Sequence, residues 1–194
     1  MSVLPKKLLT SEEYLEIERK AEYKSEFYNG EMFAMAGARE YHNLIVANVI
    51  RALGNSLVDR DCVIYPSDMR VKVSALEKYT YPDVIVACGK RSFEDDHFDN
   101  LLNPVLIIEV LSDSTEAYDR GAKFEHYQHI ESFAEYLLIS QNSIRVEQFV
   151  RQSSRKWLYS EYHELQDVAH LESIDCELKL GDVYLKIANE LTSK

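Results

Sequence analysis

Basic residues are in short supply in this chain of 194 residues: 22 Lys and Arg stand against 33 Asp and Glu, a formal net charge of −11. Phosphate neutralisation needs Lys and Arg, so this balance counts against a protein that coats nucleic acid by bulk attraction. It leaves room for an enzyme whose acids are gathered locally and whose basic residues share one face. Cysteine is scarce too. Cys62, Cys88 and Cys176 are odd in number, widely spaced and form no C-x-x-C pair; isolated buried thiols in a reducing compartment are the expectation. Long apolar runs are missing, and stretches such as 105–108 are far too short to cross a bilayer. No apolar segment follows the charged N-terminus, so no secretory leader is expected and a cytoplasmic location follows by default. No G-x-x-x-x-G-K-[ST] or G-x-G-x-x-G loop occurs, so no nucleotide cofactor is expected, and the absence of G-x-S-x-G leaves a serine hydrolase unsupported.

What is present describes a folded globular protein, since 46% of residues are hydrophobic and 11% aromatic. The length suits a single domain over 1–194, and no repeat or Pro/Gly/Ser-rich linker divides it. Thr10 and Glu13 have capping-box spacing before a first helix. Asn29-Gly30, between alternating flanks, signals a hairpin. Leu44, Ala47, Ile50, Leu53 and Leu57 place a second helix over about 40–57. Strands are expected over 62–65, 69–73, 84–88, 105–111, 135–140, 144–150 and 156–161, with a helix over 119–130; the chain from Leu178 on gives no clear pattern. Clustered strands with helices before and among them imply an α+β, or mixed α/β, fold.

Two carboxylates stand out. Glu109 lies near the end of the apolar run 105–111, which reads as a strand buried on both faces. A buried carboxylate costs several kcal/mol unless it is paired or holds a metal. The plainer alternative is a structural ion pair. Asp83 opens a second apolar strand after Pro82. If the two strands run antiparallel, both carboxylates fall at one end of the sheet. There they can share Mg²⁺, or Mn²⁺ in its place, which provides an activated water and offsets phosphate charge. Lys123 and Tyr127 are four apart on the following helix and share a face. A lysine there can orient the attacking water or stabilise phosphate charge; otherwise it is a solvated surface lysine, and Tyr127 a core residue.

Pro82-Asp83 followed by Glu109-Val110-Leu111 resembles the PD-(D/E)XK motif of restriction-endonuclease-like nucleases, except that Leu111 stands where the motif places lysine. One branch carries that lysine on the next helix. The wider sequence is similar to this branch, the Uma-type family of bacterial proteins assigned as restriction endonucleases, at 28–37, 42–43, 66–71, 81–84, 108–112 and 118–124. The resemblance implies a restriction-endonuclease-like core, Asp83 and Glu109 as metal ligands and Lys123 as the displaced lysine. It implies a metal-dependent endonuclease acting on DNA. A homodimer is expected if both strands of a duplex are cut, as in a junction- or repair-type nuclease. Glu31 fits the superfamily's early acidic position loosely, or is simply a hairpin residue. His42 near a helix start is either a ligand or a capping histidine. Ser112 either orients Glu109 or caps the next helix. The competing hypothesis is a nuclease fold that has lost its chemistry and binds nucleic acid or protein.

Other signals carry less. The acidic segment 93–99 lacks the EF-hand pattern and reads as a solvated, mobile loop. His126 and His129 lack a surrounding zincin motif. Arg145, Arg151, Arg155 and Lys156, with Trp157 and Tyr159, form either a binding surface or an ordinary sheet face.

Overall fold

The computed structural model describes residues 8–192. Helix α1 (Ser11–Glu18) starts at the expected capping box: Thr10 Oγ1 accepts from Glu13 N at 3.2 Å, and the Glu13 carboxylate accepts from Thr10 N at 3.0 Å. Strands β1 (Ser25–Tyr28) and β2 (Glu31–Ala34) form the hairpin. Asn29 and Gly30 turn it with φ of 51° and 78°, the left-handed pair that matches strand twist. Helix α2 (Glu40–Ser56) follows, then β3 (Cys62–Pro66), β4 (Arg70–Val73), β5 (Lys78–Thr80), β6 (Val84–Cys88), β7 (Asn100–Leu101) and β8 (Leu106–Leu111).

The next helix is shifted from the expected 119–130. It consists of α3 (Glu116–Tyr118), a π turn over Asp119–Lys123 and α4 (Phe124–Tyr127). It begins early because the Ser112 carbonyl accepts from Thr115 N and Glu116 N. Strands β9 (Glu135–Ser140), β10 (Val146–Ser153) and β11 (Lys156–Tyr162) extend the sheet. The unclear C-terminal stretch follows a small pair, β12 (Val168–Leu171) and β13 (Cys176–Lys179), with short helices α5 (Leu180–Val183) and α6 (Ala188–Thr192).

One sheet has the order β11-β10-β9-β8-β6-β3; a second has the order β2-β1-β5-β4-β7. Strands β6 and β8 are antiparallel, and β8 runs parallel to β9. Because successive side chains alternate faces, the six-stranded sheet is apolar on both sides. Val84, Val86, Leu106, Ile108 and Val110 pack on Ile45, Val49 and Leu53 of α2 and on the C-terminal Leu178, Leu180 and Tyr184. Each such aliphatic burial stabilises by about 1.5–3 kcal/mol. Ile85, Ala87, Ile107 and Leu111 face Val71, Val73 and Leu101 of the second sheet, with Tyr127, Phe133 and Tyr136 between. Glu109 falls on this second face.

Two expectations are corrected. Cys62 and Cys88 are joined by a disulfide rather than being isolated thiols; they stand directly opposite in the β3–β6 register, and Cys176 alone is free and buried. The acidic segment 93–99 is anchored through Glu94, Asp95 and Asp99, while Asp96, His97 and Phe98 stay exposed. Arg19 binds Asp95 at 2.7 Å and Asp99 at 2.9 Å, Arg70 binds Asp99, and Lys72 binds Glu94 at 2.7 Å. Two basic residues at and just before β10 are similarly occupied: Arg145 pairs with Glu161 at 2.5 Å, and Arg151 donates to the carbonyls of Gln128, Ile130 and Glu131. Among the described residues no helix is long and apolar enough to cross a membrane.

Candidate active site

Asp83 immediately precedes β6, and Val84 pairs with Ile108 across the antiparallel ladder, so Asp83 stands beside Glu109 at one end of the sheet. The two are clamped together. Asp83 N donates to Glu109 Oε2 at 3.4 Å, and Val110 N donates to Asp83 Oδ2 at 2.7 Å. His42, in the first turn of α2, places Nε2 3.1 Å from Asp83 Oδ2; its Nδ1 is buried without a hydrogen-bond partner.

The helix after β8 closes over this end. The π turn directs both Asp119 and Lys123 inward, while Arg120 turns out to Glu116 at 2.8 Å and to Glu147. π turns of this kind recur at functional sites. Lys123 Nζ lies 2.8 Å from Glu109 Oε1, 3.3 Å from Asp119 Oδ1 and 3.8 Å from Glu26 Oε1. Tyr127, on the same helix face, donates to Glu109 Oε1 at 3.0 Å.

A second layer reaches in from the five-stranded sheet. Glu26 on β1 accepts from the Thr80 hydroxyl, from Tyr81 N at 3.4 Å and from Tyr118 Oη at 3.3 Å. Lys78 on β5 is almost fully buried. Its ammonium meets Tyr118 Oη and, at 3.0 Å, His126 Nδ1, and it lies 5.3 Å from the Tyr28 ring centre and 4.9 Å from that of Tyr118.

Burial pushes the Glu109 carboxyl well above the usual carboxylate range, with Lys123 the main opposing influence. Burial also raises Asp119. Burial opposes the charge of Lys123, but Glu109, Glu26 and Asp119 around it raise its pKa well above the ordinary value and keep it an ammonium. Glu26 is lowered despite burial, because Lys123, Thr80 and Lys78 favour its anion. Burial brings Lys78 down to about 8.

The structure therefore brings together Asp83, Glu109, Lys123, Tyr127 and His42. Ser112 sits apart: its hydroxyl meets Ser114 at 3.1 Å and Thr115 at 2.9 Å, at the helix entry. Glu31 lies at the start of β2 opposite Tyr28, and the acid of that hairpin that reaches Lys123 is Glu26. Sequence reasoning missed Glu26, Asp119, Lys78, Thr80 and Tyr118. Asp119 had a usable signal, four residues before Lys123 on the same helix.

A family model described as "Putative restriction endonuclease", Uma2, matches residues 11–181. The chain belongs to the Uma2 family. Two proteins of Synechocystis sp. (strain ATCC 27184 / PCC 6803 / Kazusa), both named only as uncharacterized, are relatives. This chain is 42% identical to sll1609 over 161 residues, 83% of this chain and 91% of that one. It is 34% identical to slr1290 over 180 residues, 93% of each. A crystal structure described as "a putative nuclease belonging to DUF820 from Anabaena variabilis ATCC 29413" has the same fold, with a TM-score of 0.75 at 17% identity over 91% of this chain and 97% of that one.

Among the described residues of this Uma2 chain, no group of three or more His, Cys, Asp or Glu side chains is gathered as a metal cage. Mg²⁺ does not need one. It takes one or two carboxylates and keeps waters or substrate phosphate oxygens elsewhere. Asp83 and Glu109 are such hard-oxygen donors on neighbouring strands, and the Asp83 side chain retains 16% exposure toward solvent. The donor set fits that ion and not a soft metal.

Proposed function

We propose that this Uma2 protein is a Mg²⁺-dependent endonuclease, with Mn²⁺ as a substitute, that hydrolyses DNA phosphodiester bonds in the cytoplasm. The observation that carries this reading is Lys123: although Leu111 occupies the usual lysine position, the Lys123 ammonium returns from the next helix to within 2.8 Å of Glu109. Asp83 and Glu109 would hold the ion. A bound Mg²⁺ supplies Lewis-acid stabilisation of the phosphate and lowers the pKa of water.

The protein's own groups do the rest. Lys123 stays charged and offers a donor to the attacking water or the phosphate oxygen. Tyr127 fixes the Glu109 carboxylate, and Val110 N fixes that of Asp83, which favours a preorganised site. Both strands of a duplex need a cut, so a homodimer is the working form of this reading. The competing hypothesis, a fold retained only for binding, rests on Leu111 and on the net charge of −11; a Lys123 turned to solvent would have favoured it, and Lys123 is buried.

The test is cleavage of supercoiled plasmid with Mg²⁺ or Mn²⁺. Asp83→Asn is expected to fall to background while remaining folded. Unchanged cleavage by that variant overturns the assignment.

A further inference from the structure

Along the edge strand β3, an open hollow of about 500 Å³ is lined by Tyr65, Met69 and, from the segment after β6, Lys90, Arg91, Phe93 and Phe98. Tyr65, Met69 and Phe93 pack against the core layer that contains Ile85, Ile107 and Tyr127, so the hollow opens on the same face of the six-stranded sheet as Glu109.

Three features point to a ligand. Phe98 is 61% exposed and held at a φ of 56°, a left-handed conformation that costs a bulky residue free energy and tends to persist where it serves a site. Its ring meets that of Phe93 edge-to-face at 5.4 Å while most of its surface stays open to solvent. Lys90 and Arg91 are exposed on the rim, and among the described residues neither side chain has a hydrogen-bond or ion-pair partner. The neighbouring acids Glu94, Asp95 and Asp99 are held by Lys72, Arg19 and Arg70, so their charge is already answered; Asp96 is the acid of this loop outside those pairs. An aromatic face beside uncommitted cations suits a nucleobase with its phosphates, and paired bases cannot offer that face.

We propose that this hollow takes an unpaired nucleotide of the DNA substrate, stacked on Phe98 with flanking phosphates on Lys90 and Arg91. The preferred substrate then carries a single-stranded tail or flap. This inference rests on the nuclease reading for the cut, but not for the binding.

The experiment is fluorescence anisotropy without divalent cation, using a labelled blunt duplex, the same duplex with a ten-nucleotide tail, and a single-stranded oligothymidylate. The tailed and single-stranded DNAs are expected to bind more tightly than the blunt duplex. Phe98→Ala is expected to weaken their binding at least about tenfold. Arg91→Ala is expected to lower the slope of log affinity against log salt by about 0.7. Equal affinity for blunt and tailed DNA, or Phe98→Ala binding like wild type, overturns the proposal. If those results appear while plasmid is still cut, the subsite fails and the nuclease reading stands. If plasmid is not cut but Phe98-dependent binding is found, the subsite stands and the nuclease reading fails.

Discussion

Removing the Lys123 ammonium is the sharpest probe of the buried cluster. Lys123→Met keeps most of the side-chain volume but leaves Glu109, Asp119 and Glu26, at 2.8, 3.3 and 3.8 Å from the lost nitrogen, without their shared cation. Breaking a buried pair from one side costs about 3–5 kcal/mol. For a chain of 194 residues even the lower figure lowers Tm by roughly 6–12 °C. The loss is expected to depend on pH, with a sign fixed by Glu109. Burial already raises its pKa in the folded state, and Lys123 is the largest opposing influence. Without Lys123 the folded value climbs further, while the unfolded one stays near 4.3. Between the two values the folded state binds the extra proton, so this contribution is complete below the unfolded pKa and is lost as pH rises through the folded pKa. The variant is therefore expected to lose less stability at pH 5.5 than at pH 8. Urea titration followed by the fluorescence of Trp157, which packs 5.1 Å from Phe124 and 5.4 Å from Phe133, measures this. A second substitution, Glu109→Gln, is expected to recover part of the loss. A loss below about 1 kcal/mol, or one equal at both pH values, refutes the argument.

Three further outcomes are expected. Tyr127→Phe removes the donor to Glu109 Oε1 at 3.0 Å and should cost about 1–3 kcal/mol in urea unfolding, since a buried charged acceptor loses its partner. Gly30→Ala should destabilise by about 1–3 kcal/mol; the position has a φ of +78°, and the added Cβ would meet Leu8 Cβ at 2.6 Å. Alkylation of unreduced, denatured protein should label Cys176 alone, and labelling of all three cysteines would exclude the Cys62–Cys88 bond.

Local pattern was enough wherever one element decides its own shape. Helix α2 has a long apolar stripe, the Asn29-Gly30 turn needs two left-handed residues, and β6 and β8 are apolar because both faces of their sheet are covered. Long-range register was not legible. Cys62 and Cys88 look like unrelated thiols until β3 pairs with β6. Strand β5 escaped notice because Lys78 and Thr80, which point into the site, make it read as polar. Glu26 and Glu31 are equivalent by alternation along their hairpin. The pairing of β1 with β5 brings Glu26 beside Thr80 and Lys123, and no local signal encodes that pairing.

The charge balance inside the site bears on the acidity of the whole chain. Glu26, Asp83, Glu109 and Asp119 converge where Lys78 and Lys123 are the buried ammonium groups. Uncompensated buried charge costs several kcal/mol per ion. Burial accordingly raises the carboxyls of Glu109 and Asp119, and on the nuclease reading a divalent cation beside Asp83 and Glu109 would offset part of that cost. Elsewhere Arg19, Arg70, Lys72, Arg120 and Arg145 are already committed to carboxylates. Such ion pairs cancel in the sum, so the net charge of −11 reflects the excess of 33 acids over 22 basic residues across the chain. What matters for a phosphate backbone is where uncommitted cations stand, and Lys90 and Arg91 stand on the rim of a hollow that shares its sheet face with Glu109.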